Sequence, residues 1–261
     1  MKHNQISGYE KTINFLIFHI MFISLTLVVV LLKGNFLLYD LLVLLPSASF
    51  FLYLNKEARR KIIPEGFILG IFFIMVFELF ALGSHSWYEP SMFNFRPFGV
   101  GIEIFIWSPL YVMLVDGYYE YFFDGHKSKK VPKMRKYWLV FIMISLITST
   151  TIYSVNPNLF NVTYFYAIFI SFFIVLEIIF YFKYKKFISK AILASFTLLP
   201  LGIIHEVASV ALGHWTFEPG HDIGYLSILG STIAIEEIIF IVVVPILIIS
   251  IYEIMSDNQI V

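Results

Sequence analysis

A chain of 261 residues that is 59% hydrophobic and only 14% charged, with a mean hydropathy of +0.83, is not an ordinary soluble domain, in which roughly a quarter of residues carry charge. Its formal net charge is zero, so the basic field that nucleic acid requires is missing and nucleic acid is excluded as a partner. The sequence has no cysteine, which removes disulfides, thiolate catalysis and thiolate-held zinc or iron–sulfur clusters.

Apolar runs of about 20 residues, the length that crosses a bilayer core, recur along the chain. They predict eight helices: Thr12–Leu32, Phe36–Leu54, Gly66–Gly83, Phe98–Phe122, Tyr137–Ser154, Val162–Phe182, Phe187–Gly213 and Ile228–Glu253. Basic residues precede the first run, as in a secretory leader. Its apolar stretch is too long, however, and no small-x-small cleavage site follows, so it reads as a retained helix. Short loops rich in Lys and Arg resist translocation. With the amino terminus inside, sixteen of the eighteen lysines and arginines fall on inner segments, and only Lys33 and Arg96 fall outside. The expectation is a multi-pass protein of the cell membrane with both termini cytoplasmic.

The two halves resemble each other. Glu78 is followed nine residues later by Trp87, in a stretch that runs through Gly83 and His85 to Tyr88, Glu89 and Pro90; Glu206 is nine residues before Trp215, in a stretch through Gly213 and His214 to Phe217, Glu218 and Pro219. Each stretch ends a helix, forms an outer loop and leads into a helix with intramembrane carboxylates. Those are Glu103 in one half, and Glu236 and Glu237 in the other, followed by Pro109 and Pro245. The spacing from tryptophan to glutamate differs between the halves, and the glycine shifts by two positions relative to the tryptophan. Four helices per repeat is an even number, so both repeats share one orientation about an axis along the membrane normal. The predicted fold is therefore all-α: eight transmembrane helices as two parallel four-helix repeats, 1–125 and 126–261, in one integral-membrane domain.

A charge at the bilayer centre costs about 2.5 to 3.5 kcal/mol even on insertion scales, so intramembrane carboxylates are functional candidates. Glu78, Glu103, Glu206, Glu236 and Glu237 all fall in outer helix halves, and Asp40 enters its helix at the same level. Burial and a neighbouring carboxylate both favour the protonated form, which suits a general acid and a general base acting on an apolar substrate. Successive residues on a helix lie about 100° apart, so at most one of Glu236 and Glu237 points into such a cavity. Trp87, Tyr88, Trp215 and Phe217 sit beside the carboxylates, where a ring face stabilises a cation. Tyr118, Tyr119 and Tyr121 read as an interfacial belt, Trp107 as packing, and Glu89, Glu218 and Asp222 as hydrated loop charges. His85, His205, His214 and His221 gather on the outer side without a metal-binding spacing, and His205 joins the substrate-facing set; no metal or cofactor is expected.

Repeated halves, each with an acidic residue, a tryptophan-containing loop and a following Ile-Glu-type helix, resemble the lycopene cyclase domain. These are flavin-free, integral-membrane carotenoid cyclases. Their Pro-Ile-Glu-Glu stretch is most nearly matched by Ala234-Ile235-Glu236-Glu237, with alanine in place of proline and a single glutamate, Glu103, in the first half. Membrane carotenoid hydratases are similar over Glu78 to Pro109. The resemblance implies protonation of a terminal alkene by a carboxylic acid, ring closure of the carbocation and removal of a proton, with Glu236 or Glu237 as acid and Glu206 as partner, and Glu78 with Glu103 as the equivalent pair. The implied partners are a hydrophobic isoprenoid such as lycopene and membrane lipid; a homo-oligomer is left open. A hydratase would add water to the same cation, and a non-catalytic isoprenoid carrier would only bind. A metal-dependent intramembrane hydrolase is a further alternative, though its Glu-Glu-x-x-x-Arg pattern fails because residue 241 is isoleucine.

Overall fold

Segments of Leu, Ile, Phe and Val surrounded by lipid can satisfy their backbone groups only within themselves, which makes them helices. The computed structural model describes residues 8–125, 134–218 and 220–256, and they are mostly helical. Helix α1 is Gly8–Leu31, α2 is Phe36–Leu54 with a π-turn at Asp40–Leu44, and α3 is Arg59–Ser84 with a π-turn at Ile74–Glu78. Helix α4 is Ile104–Tyr119, continued by a π-turn at Glu120–Asp124. Helix α5 is Met134–Val155, α6 is Phe165–Leu212 and α7 is Ile235–Ser256. Among the described residues five helices are long and apolar enough to cross a membrane: α1, α2, α3, α6 and α7. Rows of exposed apolar side chains, such as Leu16, Ile20 and Leu27 on α1 and Ile168, Phe172 and Ile179 on α6, give these helices a lipid-facing surface. This is a helical membrane protein.

Helix α6 is 48 residues long, but its backbone leaves the helical region at Tyr184 (φ −131°, ψ 41°). Unbroken, it would extend about 72 Å at 1.5 Å per residue, more than twice a bilayer core of about 30 Å. The break falls within the basic stretch Lys183–Lys190, between the sixth and seventh predicted helices. Residue 126, where the second predicted repeat begins, lies outside the described residues, as do Lys2, Lys127, Lys129, Lys130, Lys133 and Pro219.

Close helix contacts use small residues, as membrane packing requires. Gly66 and Gly70 of α3 lie against Met113 and Pro109 of α4, so near that a Cβ on Gly70 would stand 2.6 Å from the Pro109 nitrogen. Ser108 Oγ donates to the Gly70 carbonyl at 3.1 Å. Gly202 of α6 meets Ile241 of α7 in the same manner, and Ser195 Oγ donates to the Val242 carbonyl at 2.6 Å.

The structure corrects several expectations. The fold is not wholly helical: two short antiparallel pairs occur among the described residues, β1 (Trp87–Tyr88) with β2 (Thr216–Phe217), and β3 (Tyr225–Ile228) with β4 (Ser231–Ala234). The β3–β4 hairpin turns at Leu229 and Gly230, both at positive φ (50° and 86°), the two-residue geometry that matches strand twist. Hydropathy merges this apolar hairpin with the helix after it, so α7 starts at Ile235 instead of Ile228. Helix α4 starts at Ile104 instead of Phe98, because Pro97 and Gly99 hold a tight turn with Phe98 at φ 56°. Tyr118, Tyr119 and Tyr121 are at most 1% exposed; Tyr118 and Tyr121 belong to the core between α1, α2 and α4, where Tyr118 packs on Phe18 and Phe51, and Tyr119 lies near Glu253 of α7. At the opposite end of the bundle from the hairpins, Asp116, Glu120, Glu65 and Glu253 are buried near one another, with the Tyr252 hydroxyl donating to Glu120 at 2.8 Å.

Candidate functional site

The carboxy-terminal ends of α3 and α6 are built alike. Glu78 lies seven residues before a left-handed helix stop at His85 (φ 55°), and Glu206 lies seven before Gly213 (φ 71°). The counterpart of Gly213 is thus His85 rather than Gly83, and the apparent two-residue shift of the glycine disappears. In both halves the chain reverses after the stop and lays a tryptophan back over the helix it has left. Trp215 Nε1 donates to Glu206 Oε1 at 2.8 Å, and Trp87 Nε1 to Glu78 Oε2 at 3.3 Å. The β1–β2 pair joins the two loops, with Tyr88 opposite Thr216 and Trp87 opposite Phe217.

At the start of α7 the adjacent glutamates part. Glu237 accepts a hydrogen bond from the Tyr166 hydroxyl, while Glu236 accepts one from the Ile223 amide at 2.6 Å. Glu103, ahead of α4, holds the loop before it in the same way, taking the Met92 amide at 2.7 Å and Ser91 Oγ at 3.0 Å. Both Glu103 and Glu236 are 1% exposed. They tie the preceding loops to the helix starts, where a carboxylate also meets the positive end of the helix dipole. The residue after Glu103 is Ile104, so the first half has no counterpart of Glu237.

Glu78, Glu206 and Glu237 line one cavity between α3, α4, α6 and α7, with about 960 Å³ of empty space when its open mouth is counted. Each carboxylate has one oxygen held by an aromatic donor, and its other oxygen has no hydrogen bond among the described residues. Glu237 lies where its charge acts on both Glu78 and Glu206. Aromatic faces cover much of the remaining wall. Phe77 and Trp87 stack at 5.7 Å, Trp87 and Tyr166 meet edge-on at 5.2 Å, and Trp107 and Tyr111 stack at 5.1 Å. Trp107 Nε1 donates to His205 Nε2 at 3.2 Å. An indole nitrogen only donates, so the proton of a neutral His205 sits on Nδ1.

Of the residues expected from sequence, Glu78, Glu206, Glu237, Trp87, Trp215, Phe217 and His205 line this cavity, and Glu103, Glu236, Tyr88 and Asp40 do not. Tyr88 is half-exposed, with the Arg96 guanidinium 5.4 Å from its ring centre. Asp40 is fully buried, and neither of its carboxylate oxygens has a hydrogen-bond partner among the described residues. Among the wall residues that escaped the sequence reading or were assigned elsewhere are Glu89, Trp107, Tyr111 and Tyr166. Glu89 is not a hydrated loop charge. It accepts from Trp87 Nε1 at 3.1 Å, and burial, then the charge of Glu78, push its carboxyl well above the ordinary carboxylate range. The only sequence signal for it was its place two residues after Trp87. Asp222, another expected loop charge, is buried. Desolvation raises it to about 6, against the opposing hydrogen bond from the Tyr225 hydroxyl at 2.8 Å. His214 donates to or accepts nothing in the cavity; its Nε2–H reaches the Gly34 carbonyl at 3.0 Å, bracing the α1–α2 loop, and burial holds its pKa below the ordinary value. Among the described residues no group of three or more His, Asp or Glu is arranged to hold a metal ion.

No family model, curated protein or solved structure matches this chain.

Proposed function

We propose that this chain is an integral-membrane isoprenoid cyclase that closes an acyclic end group, of the kind found in lycopene, without redox change. The observation that carries the reading is the convergence of Glu78, Glu206 and Glu237 on one aromatic-walled cavity, each fixed through a single oxygen. A carboxylic acid whose carbonyl oxygen accepts a hydrogen bond presents its O–H from the other oxygen. Glu237, held by Tyr166, is the general acid: its proton adds to the terminal double bond and leaves a tertiary cation. The near carbon of the next double bond attacks that cation, closing a six-membered ring and leaving the charge on the far carbon of that double bond. Glu206 removes a proton from the ring as general base. The proton then returns from Glu206 to Glu237, so substrate and product have equal mass. The faces of Trp87, Trp107 and Trp215 stabilise the cation without a lone pair to trap it. Glu103 and Glu236 position the loops and do not touch the substrate.

The same reading places eight spans across the bilayer, with both termini cytoplasmic. It is supported by the position of the helices, by the break of α6 at Tyr184 and by the run of lysines beside it. Two parallel four-helix repeats are supported by the register of β1 and β2. A twofold axis through an antiparallel pair requires equivalent residues to face each other, and Tyr88 and Thr216 each follow their tryptophan by one residue.

The test is to express the chain in a lycopene-accumulating bacterium and identify the extracted pigments by mass and absorption. A product of unchanged mass with a shortened chromophore is expected, and its loss in Glu237→Gln, with protein still in the membrane, assigns the acid. A product heavier by one water makes the enzyme a hydratase acting through the same cation. Unchanged lycopene with folded protein would sink the catalytic reading in favour of a carrier.

A further inference from the structure

The β3–β4 hairpin is apolar, exposed and held against a spanning helix. Residues 223–235 contain no charged side chain, and Ile223, Leu226 and Leu229 are all exposed. A two-residue turn of this kind favours asparagine or glycine at its first position. Here that position holds Leu229, 91% exposed at φ 50°. The loop between α3 and α4 repeats the pattern: Phe93, Phe95 and Phe98 are exposed, and Phe98 has φ 56°.

Both segments are held level with helix ends. Ser231 Oγ, two residues after Leu229, donates to the Val207 carbonyl at 3.1 Å. Val207 precedes the end of α6 at Leu212 by about 7.5 Å, at 1.5 Å per residue. Gly99, next to Phe98, lies beside Leu82 in the last turn of α3, where a Cβ on the glycine would stand 3.3 Å from Leu82 Cδ1. The exposed apolar side chains therefore sit beside the last turns of helices that cross the membrane, not on loops that stand clear of it.

Two opposing requirements set their depth. Large apolar side chains favour acyl chains over water. Strand β3, however, pairs with β4 alone in a two-stranded sheet among the described residues. Every second residue of β3 thus turns its N–H and C=O away from β4, and such groups are not left in hydrocarbon. Only the boundary between headgroups and acyl chains meets both requirements. We infer that the β3–β4 hairpin and the Phe98 turn are lipid-binding surfaces lying in this boundary, with Leu226, Leu229 and Phe98 among the acyl chains and the open edge of β3 at the headgroups. The inference does not rest on the cyclase reading. It gives the candidate site a depth in the membrane. The Ile223 amide holds Glu236, Glu237 follows close after the last hairpin residue, Ala234, and Glu206 adjoins Val207. Both cavity carboxylates therefore lie just beneath the headgroups.

The chain has no cysteine, so single nitroxide labels on Leu226→Cys, Leu229→Cys and Phe98→Cys report depth in the full chain reconstituted into phosphatidylcholine vesicles. All three positions are exposed, and the labels replace no core contact. Power saturation in electron paramagnetic resonance compares collision with oxygen, which concentrates among acyl chains, and with a nickel chelate, which stays in water. Phe172→Cys, exposed on α6 between its start and the break at Tyr184, gives the lipid reference. Lys56→Cys, exposed between α2 and α3, gives the water reference. The oxygen-to-nickel ratio at all three sites is expected several-fold above that of Lys56→Cys and below that of Phe172→Cys. A ratio equal to that of Lys56→Cys at any of the three would overturn the inference, because that side chain would stand in water. A ratio at Leu226→Cys equal to that of Phe172→Cys would overturn the boundary placement, because the edge of β3 would then lie in hydrocarbon. Weak collision with both reagents, with spin–spin broadening that disappears on dilution with unlabelled protein, would mean that a second copy of the chain covers the surface. That result would overturn the inference as well.

Discussion

Trp215 and Trp87 perform the same task with unequal geometry, and that difference is measurable. Trp215 gives its whole N–H to Glu206 at 2.8 Å, whereas Trp87 divides its N–H between Glu78 at 3.3 Å and Glu89 at 3.1 Å. Replacing either by phenylalanine keeps a ring and leaves a buried carboxylate oxygen without its donor, at a cost of about 1 to 3 kcal/mol. Trp215→Phe is expected at the upper end and Trp87→Phe at the lower, by thermal unfolding in detergent. Equal losses would contradict the assigned bonds. Asp222 gives a pH dependence. Its carboxyl is raised from 3.8 to about 6 in the folded protein by burial, so the folded state holds this proton more tightly than the unfolded one. The resulting stabilisation is full below 3.8 and is lost as pH rises through about 6. Asp222→Asn should flatten the stability profile across that window and leave the variant more stable than the parent at pH 7; a parallel profile would rule this out. At this scale the sequence was partly legible. Nine-residue Glu–Trp spacing marked two hydrogen-bonded pairs, and the 100° step separated Glu236 from Glu237. Which of the two faces the cavity was not legible, because it depends on where Ile223 and Tyr166 come to lie.

Helices here are joined through glycines, and the neighbours of each glycine set the cost of a side chain. On Gly70 a Cβ meets backbone atoms of Pro109 at 2.6 and 2.7 Å, while on Gly202 it meets the Cγ2 branch methyl of Ile241 at 2.3 Å. Backbone cannot rotate away, and a side chain can. Gly70→Ala should therefore cost about 3 kcal/mol and Gly202→Ala nearer 1 kcal/mol, the two ends of the overpacking range, read as the loss in unfolding midpoint. A larger loss for Gly202→Ala would mean that the α6–α7 contact, not α3–α4, is the rigid one. The β3–β4 turn carries the opposite signal. Leu229 is 91% exposed and sits at φ 50°, a left-handed conformation that costs a residue with a Cβ about 1 to 2 kcal/mol. Leu229→Gly should relieve that strain and stabilise the hairpin, seen as slower amide exchange over residues 225–234. Helix positions were readable from apolar run length, since lipid allows those runs no other backbone arrangement. The hairpins were not. Alternating apolar strands and apolar helices have the same mean hydropathy, and only the pairing of Tyr225–Ile228 with Ser231–Ala234 separates them.

For the whole molecule, the arrangement in the bilayer can be tested with unusual clarity because the chain contains no cysteine. Single cysteines at Asn94 between α3 and α4, at Lys56 between α2 and α3, and at Lys186 beside the break in α6 would each report one location. With eight spans and cytoplasmic termini, Asn94→Cys reacts with an impermeant thiol reagent on intact cells, and Lys56→Cys and Lys186→Cys react only after permeabilisation. Labelling of Lys186→Cys from outside would mean that α6 does not fold back at Tyr184, and the eight-span reading would fail.

Composition and the order of residues along the chain determined that this is a helical membrane protein, where its long helices run, and that acidic and aromatic residues cluster near one end of them. Those properties follow from local transfer energies and backbone satisfaction, which each segment decides for itself. Tertiary structure decided what the acids do. It joined Glu78, Glu206 and Glu237 across three helices into one cavity, sent Glu103 and Glu236 to brace loops, and brought Glu89 and Tyr166 into the wall. A carboxylate's role depends on which donor reaches it and what shares its cavity, and both come from residues far away in the chain.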